Sequence, residues 1–251
     1  MPELSVVIIT FNEEQNIARC LDSVKAIASE IVVVDSFSSD KTAEICKSFG
    51  CRFLTRKFNG YADQKQFAVD QAANDWVLSL DADEVVSDEL SSEIQTLLQK
   101  NMITNSGFMI PRSLFYMGRI LKYSGVRSEL LLRLFNRQKG GLTQVRVHES
   151  IEVTGSIGRL SGKLIHYSYN SISQHIQKTN IYTSLAAEGL KEKGKTFSKC
   201  WVSLKFPVNF FVFYIIRGGI LDGYPGLIWS FMAAFSGSMK VAKTIELQEK
   251  S

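Results

Sequence analysis

Cysteine is scarce in this sequence, and its spacing indicates neither disulfides nor a metal site. The 251 residues include four cysteines, and no two of them form a CxxC motif. Two of the four, Cys20 among them, fall at periodic apolar positions of predicted helices. They are therefore interpreted as small buried hydrophobic residues of a protein in a reducing compartment, and metal-cysteine chemistry is disfavoured.

The sequence also lacks a strong excess of charge of either sign. The formal net charge is +4 and the isoelectric point is near 8.8. No basic stripe interleaved with aromatic residues and no zinc-finger motif occurs. This pattern does not indicate a nucleic-acid partner. Anionic small molecules or anionic lipids fit the mild positive charge better.

Glycine-rich phosphate-binding motifs are missing as well. No GxGxxG follows the first predicted strand, and no GxxxxGK[ST] occurs anywhere in the chain. A dinucleotide-binding fingerprint and a P-loop are therefore disfavoured. If the protein binds phosphate groups, we expect a metal ion to contact them.

Long apolar runs and targeting signals are absent too. No uninterrupted apolar stretch reaches the roughly 18 to 20 residues that a transmembrane helix needs. The N-terminus enters an apolar strand directly and has no basic region of the kind that opens a secretory signal. The sequence predicts a cytoplasmic protein.

The first 80 residues alternate apolar strands with periodic helices. A predicted helix follows each of the first three strands, and the four strands are predicted at 4–10, 30–35, 51–55 and 76–80. Their continuous β-branched runs are typical of strands covered on both faces. This alternation predicts a parallel, doubly wound α/β sheet.

Acidic and amide side chains follow three of these strands. Asn12 and Glu13 follow the first strand, Asp35 ends the second, and Asp81 and Asp83 follow the fourth. Parallel strands bring their carboxyl ends to one edge of the sheet, where open α/β folds bind ligands. Crowded carboxylates are costly without a compensating cation or donor, so we expect this edge to be functional.

Asp81 and Asp83, one residue apart at the end of an apolar strand, carry the sharpest chemical prediction. Carboxylate oxygens are ligands that Mg²⁺ and Mn²⁺ prefer, and such an ion would hold a diphosphate. An alternative stays open. Both residues would also serve to cap the helix predicted at 88–100.

Beyond residue 107 the sequence pattern changes to short predicted strands separated by glycine-containing and polar turns. These strands are predicted at 107–110, 130–135, 150–153 and 163–168, and they suggest antiparallel additions to the sheet. Arginines at 127, 133, 137 and 146 precede Val147-His148-Glu149. Most of the arginines also fit a solvated edge. Glu149 is the acid-base candidate, and His148 either orients it or is structural.

The C-terminal part is predicted to be helical and rich in apolar residues. Helices are predicted at 173–193, 204–216 and 227–243, the last two joined by glycine- and proline-containing turns and flanked by lysines. This composition is typical of helices at an anionic membrane interface. A dimer interface, or packing on the rest of the chain, is the alternative.

Several blocks together resemble family 2 inverting glycosyltransferases with a GT-A fold. They are the run from Val6 to Glu13, the run from Glu30 to Ser36, Asp40, and the run from Leu80 to Glu84. The runs Gly60 to Lys65, Val147 to Glu149 and Arg217 to Gly223 resemble the bacterial subgroup that builds the lipopolysaccharide core. The resemblance implies a Rossmann-like, mostly parallel doubly wound sheet with antiparallel additions and a C-terminal helical appendage at the membrane interface.

In that family the matching residues bind the donor. The resemblance implies that eight residues hold the nucleobase and ribose or line the same pocket. They are Thr10, Phe11, Asn12, Glu13, Asp35, Ser36, Asp40 and Lys65. It implies that Asp81 grips the ribose and, with Asp83, a divalent metal, Mg²⁺ or Mn²⁺. Glu149 would be the general base, with Arg133 and His148 contacting phosphate or acceptor. The Gln/Arg-x-x-Arg-Trp block that accompanies processive polymerisation is missing, so processive synthesis is not expected.

The resemblance implies transfer of a sugar, from a UDP-sugar by preference, to a glycolipid or saccharide acceptor at the cytoplasmic face of the inner membrane. Residues 1–195 would form the catalytic domain, with a nucleotide-sugar half at 1–106 and an acceptor half at 107–195, and residues 196–251 the helical tail. A homo-oligomer is an alternative to a monomer. The alternatives are a sugar nucleotidylyltransferase and a membrane-associated binding protein without activity.

Overall fold

A computed structural model describes residues 3–99, 103–126, 128–143 and 150–250 of the chain. The chain divides into two compact units, the first formed by Met1–Ser113 and Ser128–Tyr167, the second by Leu114–Arg127 and Ser168–Ser251. Helix α5, Ile172–Glu192, belongs to the second unit, although it was predicted to belong to the half at 107–195. Its buried residues, spaced four apart, pack on another helix of that unit, α7, Gly223–Glu249.

The strands follow the predicted alternation and then continue into short pieces. In chain order they are β1 Leu4–Thr10, β2 Glu30–Asp35, β3 Arg52–Thr55, β4 Trp76–Asp81, β5 Glu84–Val86, β6 Gly107–Tyr116, β7 Arg119–Ile120, β8 Glu129–Asn136, β9 Gly140–Leu142, β10 Ile151–Val153, β11 Ile157–Arg159 and β12 Leu164–His166. The third strand begins one residue later than predicted. Strand β6 runs six residues further than predicted, because it continues through Pro111 while paired with β8.

The helices are likewise close to the predicted positions. They are α1 Ile17–Val24, α2 Thr42–Ser48, α3 Tyr61–Asp70, α4 Asp88–Leu98, α5 Ile172–Glu192, α6 Lys199–Phe211 and α7 Gly223–Glu249. The side chain of Ser87 accepts a hydrogen bond from the Leu90 N–H and so caps α4. The predicted alternative, capping of this helix by Asp81 or Asp83, is therefore wrong, because β5 separates both aspartates from the helix.

The main sheet has the strand order β3-β2-β1-β4-β8-β6-β12-β5. Strands β1 to β4 pair in parallel, whereas β8 is antiparallel to β4 and to β6, and β12 is antiparallel to β5. The predicted parallel sheet with antiparallel additions is confirmed. Register places Thr10 beside Asp35 and Ile9 beside Asp81, so the predicted meeting of the three strand ends at one edge is also confirmed.

Alternate residues of β1 pack into two hydrophobic clusters. Val6 and Ile8 join α1 and α4 in one cluster, while Val7 and Ile9 join α3 in the other. The strand is therefore covered on both sides, as its continuous apolar run predicted. Cys20 and Cys46 are buried as predicted, whereas Cys200 is exposed.

The second unit contains α5, α6 and α7, with α7 packed against both of the others. A π-helical turn, Val212–Ile216, extends α6, and a 3₁₀ turn, Gly219–Asp222, leads into α7. The helical stretch Lys199–Ile216 is long and apolar enough to cross a membrane by length and composition, and none of it is buried. The stretch is not an uninterrupted apolar run, since it contains Lys199, Lys205 and Asn209, and it reaches this length because the helix begins five residues earlier than predicted.

Candidate active site

The loops that follow β1 and β2 are tied to each other by polar contacts. The Asn12 N–H donates to the Ser38 hydroxyl at 2.8 Å, and the Asn12 amide oxygen accepts from the Ser39 N–H at 2.9 Å. Asp35 accepts from the N–H and the hydroxyl of Ser38 at 2.7 and 2.5 Å. Asn12 has a φ of +53°, a conformation that asparagine tolerates better than most residues. These bonds fix the shape of the edge that was predicted to bind the donor.

Asp40 organises the same edge through its carboxylate. It accepts hydrogen bonds from the N–H groups of Glu14 and Thr42, both at 3.0 Å, and from the Thr42 hydroxyl at 2.5 Å. Partial burial raises the pKa of Asp40, but the Thr42 hydroxyl and the two N–H groups outweigh it, so that the pKa lies below its usual range. Asp40 therefore shapes the loop as an ionised carboxylate.

Asp81 lies at the end of β4 between two cations. Its Oδ1 is 2.9 Å from the Lys65 Nζ, and its Oδ2 is 2.9 Å from an Arg133 guanidinium nitrogen. Burial raises the pKa of Asp81, but the charges of Arg133 and Lys65 outweigh it and hold the pKa well below its usual range. Asp81 is thus a permanent anion, although a quarter of its side chain is exposed. Metal binding by Asp81 stays a prediction, since both of its oxygens already contact cations.

Glu84 holds the turn that follows β4. It is fully buried, and its Oε2 accepts a hydrogen bond from the Asp81 N–H at 3.0 Å. Its Oε1 accepts from Arg133 at 2.8 Å and from Arg112 at 3.0 Å. One buried cation, Arg133, and one partly exposed cation, Arg112, therefore converge on one carboxylate, which fixes the backbone of the Asp81–Glu84 turn.

Asp83 lies beside a histidine, His166, that was not predicted as a site residue. The Nε2 atom of His166 is 3.2 Å from Asp83 Oδ2, and the Tyr167 N–H donates to the Asp83 carbonyl at 2.8 Å. Antiparallel pairing places His166 opposite Glu84. The available signal was a histidine near the end of the strand predicted at 163–168, one of only three in the chain.

Asp83 and His166 have the donor chemistry of part of a cation site. Neighbouring ligands of an octahedral ion at about 2.1 Å lie about 3 Å apart, close to the separation of these two atoms. Among the described residues, no group of three or more His, Cys, Asp or Glu side chains gathers as a metal site. Mg²⁺ usually keeps one or two protein carboxylates and takes its other ligands from water and phosphate. The pair therefore fits a divalent ion that a diphosphate completes.

Unsatisfied polar atoms also occur at this edge. In the described part of the chain, three buried atoms there lack a hydrogen-bond partner: the Thr10 hydroxyl oxygen, the Gln64 amide oxygen and the Arg133 Nε. Gln64 was not selected from the sequence, although its amide nitrogen lies 3.2 Å from the Ser36 hydroxyl. Such atoms cost about 1–3 kcal/mol each and in native proteins call for an explanation. A bound polar ligand would supply the missing partners.

Other predicted residues have simpler positions. Phe11 is more than half exposed at the end of β1, and the Glu13 N–H donates to the Thr42 hydroxyl. Glu149 and His148, the predicted base and its neighbour, lie outside the described residues, as do Arg127 and Arg146. Their roles stay predictions.

The chain is similar to known glycosyltransferases along its whole length. It is 34% identical to an uncharacterised glycosyltransferase of Rickettsia typhi, covering 100% of this chain and 89% of that protein. It is 32% identical to the lipopolysaccharide core biosynthesis glycosyltransferase LpsC of Rhizobium meliloti, covering 92% of this chain and 90% of LpsC.

A solved structure has a related fold. The mannosyltransferase PcManGT of Pyrobaculum calidifontis, solved in complex with GDP-Man and Mn²⁺, aligns with a TM-score of 0.54 at 14% identity, over 100% of this chain and 88% of that one. The sequence model described as Glycosyl transferase family 2 matches residues 5–148, the stretch that supplies the Asp81, Asp83, Lys65 and Arg133 edge. With more than half of the chain matched, the protein belongs to glycosyl transferase family 2.

Proposed function

We propose that the chain transfers a sugar from a nucleotide-sugar, a UDP-sugar by preference, to a hydroxyl group of a glycolipid or lipopolysaccharide-core-type acceptor, with inversion at the anomeric carbon. Family membership makes the protein a glycosyltransferase. The acceptor class is supported by the 32% identity to LpsC, whose name places it in lipopolysaccharide core biosynthesis. The reaction would then occur at the cytoplasmic face of the inner membrane.

The observation that carries this proposal is the convergence of Asp81, Asp83, Lys65, Arg133 and His166 at the edge where β1, β2 and β4 end. A nucleoside diphosphate needs cations near its phosphates and polar groups near its ribose. Lys65 and Arg133 offer the first, and the orphan oxygens of Thr10 and Gln64 offer the second. The exposed ring of Phe11 is proposed to face the nucleobase.

Each residue then has a role in the reaction. Lys65 and Arg133 would stabilise the negative charge that develops on the departing diphosphate. Glu149 would accept the proton of the acceptor hydroxyl while that oxygen attacks the anomeric carbon and the bond to the diphosphate breaks on the opposite side. Asp83 and His166 would hold a divalent metal, which supplies further neutralisation of the diphosphate when bound.

The test is a donor screen with matched variants. The full chain is incubated with UDP-, GDP- and ADP-sugars, with and without Mn²⁺, and nucleoside diphosphate release is measured. We expect release from one class of donor, strongest with Mn²⁺. Asp83→Ala and Glu149→Gln should each abolish it at unchanged circular dichroism, whereas Asp22→Ala, at an exposed aspartate of α1, should not.

Three results would contradict the proposal in whole or in part. Nucleoside diphosphate release that survives in both active-site variants would discard the assigned residues. A correctly folded chain that turns over no donor would favour the alternative of a binding protein without activity. Loss in Glu149→Gln but not in Asp83→Ala would discard the metal assignment alone.

The metal proposal has a readout that does not require turnover. Binding of Mn²⁺ in the presence of UDP is measured directly from the loss of the free-ion electron paramagnetic resonance signal. Asp83→Ala and His166→Ala should each weaken binding tenfold or more, because a ligand is lost. Unchanged Mn²⁺ affinity in both variants would place the ion elsewhere.

A further inference from the structure

The helix α6 and the π-helical turn after it carry an apolar face that the other described parts of the unit leave about half exposed. Trp201, Leu204, Val208, Phe211 and Ile215 recur at spacings of three and four residues, and each is between 44% and 56% exposed. These five residues are called the α6 face below. Exposed positions of a soluble helix are normally polar, and a contiguous apolar face marks an interaction site.

The opposite side of α6 is the side that packs within the unit. The Phe206 ring lies 5.1 Å from the Phe231 ring of α7, edge to face, and Asn209 lies against Gly237 of the same helix. The α6 face is therefore not the packing surface between the two helices. The α6 face is exposed because the opposite side of the helix contacts α7.

The turn after α6 extends the same kind of surface. Four more large apolar side chains, in this turn and at the start of α7, are between 53% and 67% exposed, namely Ile216, Ile220, Leu221 and Tyr224. Buried polar bonds hold this turn in place, since the Asp222 carboxylate accepts from the N–H groups of Lys122 and Tyr123 at 3.1 and 2.9 Å. The turn presents apolar residues because of its anchored conformation.

The charge of the residues around the α6 face indicates which kind of partner surface would cover it. Residues 193–221 contain no Asp or Glu, whereas they contain Lys193, Lys195, Lys199, Lys205 and Arg217. Lys199 pairs with Glu249 of α7 at the surface, whereas the Lys205 Nζ lies 5.6 Å from the centre of the Trp201 ring on the α6 face. A second copy would bring like charges together, whereas an anionic lipid surface complements them.

The length and surroundings of the stretch Lys199–Ile216 argue against its crossing a bilayer. Its 18 residues span about 27 Å, somewhat less than the roughly 30 Å hydrocarbon core. The Ser124 N–H donates to the Arg217 carbonyl at 2.9 Å, which ties the end of the stretch to a polar loop of the same unit. The other helices of the unit carry charged residues such as Glu188 and Glu246, which hydrocarbon excludes.

We propose that the α6 face binds the surface of an anionic lipid bilayer, with α6 lying in the membrane plane and its cations among the lipid headgroups. The proposal rests on the proposed function only for the identity of the membrane-bound acceptor. Lipid binding itself does not require turnover, so the two proposals can fail separately.

The first test compares two exposed leucines of the same unit. The full chain is mixed with vesicles of phosphatidylcholine, alone or with about one third phosphatidylglycerol, and bound protein is measured by flotation. Wild type and Leu185→Glu, at a leucine of α5 that is 59% exposed, should bind the anionic vesicles. Leu204→Glu, at a leucine that is 56% exposed, should bind at least about tenfold more weakly.

The second test reports on insertion of the face. Trp201 lies on the α6 face, while Trp76 is buried. Brominated lipids should quench part of the wild-type tryptophan emission and much less of the emission of Trp201→Phe. Equal quenching in both proteins would overturn the assignment to this face.

Several outcomes would overturn the proposal. They are absence of binding to anionic vesicles, equal loss of binding in Leu204→Glu and Leu185→Glu, and resistance to carbonate extraction, which would indicate a helix that spans the bilayer. Formation of a dimer that Leu204→Glu dissociates, without vesicle binding, would assign the face to a second copy. Donor turnover by Leu204→Glu with a soluble acceptor should equal that of wild type, so a loss of sugar transfer in all proteins would count against the proposed function alone.

Discussion

The two units of this chain distribute polar and apolar side chains in opposite ways. The first unit buries its apolar residues on both faces of the sheet and gathers its charged side chains at one edge. The second unit exposes most of the large hydrophobic side chains that are accessible in the described chain, and it buries polar residues such as His175, Thr183, Asp222 and Ser238.

We infer from this difference that each unit meets a different environment. Ion pairs hold the charged side chains in place at the edge of the first unit. Such clusters of paired charges are typical of a binding site. The apolar surface of the second unit is held outward by buried hydrogen bonds. Four predictions test this contrast, from the largest expected effect to the smallest.

The largest effect is expected from removing the buried acid of the first unit. Glu84→Ala leaves Arg133 and Arg112 without their shared carboxylate, and breaking a buried ion pair costs about 3–5 kcal/mol. The matched control is Glu129→Ala, which removes the exposed partner of Arg112 and should cost under about 1 kcal/mol. Urea unfolding followed by hydrogen exchange in β4 and β8 measures both. Similar losses in the two variants would show that burial of Glu84 has no energetic consequence.

A somewhat smaller effect is expected from the buried acid of the second unit. Asp222→Ala leaves the N–H groups of Lys122 and Tyr123 without an acceptor, for a loss of about 2–4 kcal/mol. Glu246→Ala, at an exposed i, i+4 pair with Lys250, is the control and should change stability by about 0.5 kcal/mol or less. Hydrogen exchange of α7 is the measurement. Full protection in Asp222→Ala would mean that the turn does not depend on this carboxylate.

The third prediction concerns acid sensitivity of the second unit. Burial, with the nearby charge of Lys178, lowers the pKa of His175 from 6.5 to about 4. The unfolded chain therefore binds this proton first, so the stability that neutral His175 contributes is complete above pH 6.5 and is lost as the pH falls towards 4. We expect a loss of about 2 kcal/mol between pH 7 and pH 5.

Protection of α5 amides as a function of pH measures this loss. His175→Gln should flatten the dependence, since glutamine does not titrate. The Tyr116 hydroxyl lies 2.9 Å from the His175 Nδ1. The backbone amide of Tyr116 should therefore lose its protection from exchange over the same pH range in wild type. An unchanged pH slope in His175→Gln would assign the acid sensitivity to other groups.

The smallest effect is expected on the α6 face in water. Leu204→Ala should change the free energy of unfolding by about 0.5 kcal/mol or less, because the side chain is exposed. Leu78→Ala, at a fully buried leucine of β4, should cost about 2–5 kcal/mol by comparison. Thermal unfolding without lipid measures both. A large loss in Leu204→Ala would show that the face is packed within the protein.

Much of the candidate site could be predicted from the sequence, because local pattern and topology determine where its residues lie. The apolar runs that end in Asp35 and Asp81 predicted parallel strands, and parallel strands necessarily bring those acids to one edge. The pairing of Asp83 with His166 could not be predicted, since it depends on antiparallel pairing between β5 and β12 across 83 residues of chain. The orphan oxygen of Gln64 likewise becomes visible only when its burial is known.

The sequence by itself determined the α/β alternation, the acids at the strand ends and the helical, acid-free stretch after residue 193, because periodicity and composition act over neighbouring residues. Only the tertiary structure decided which charges meet and which helix face stays exposed. Asp81 is shared by Lys65 and Arg133, and the α6 face turns outward, because long-range packing alone sets which side chains approach one another and which side of a helix is covered.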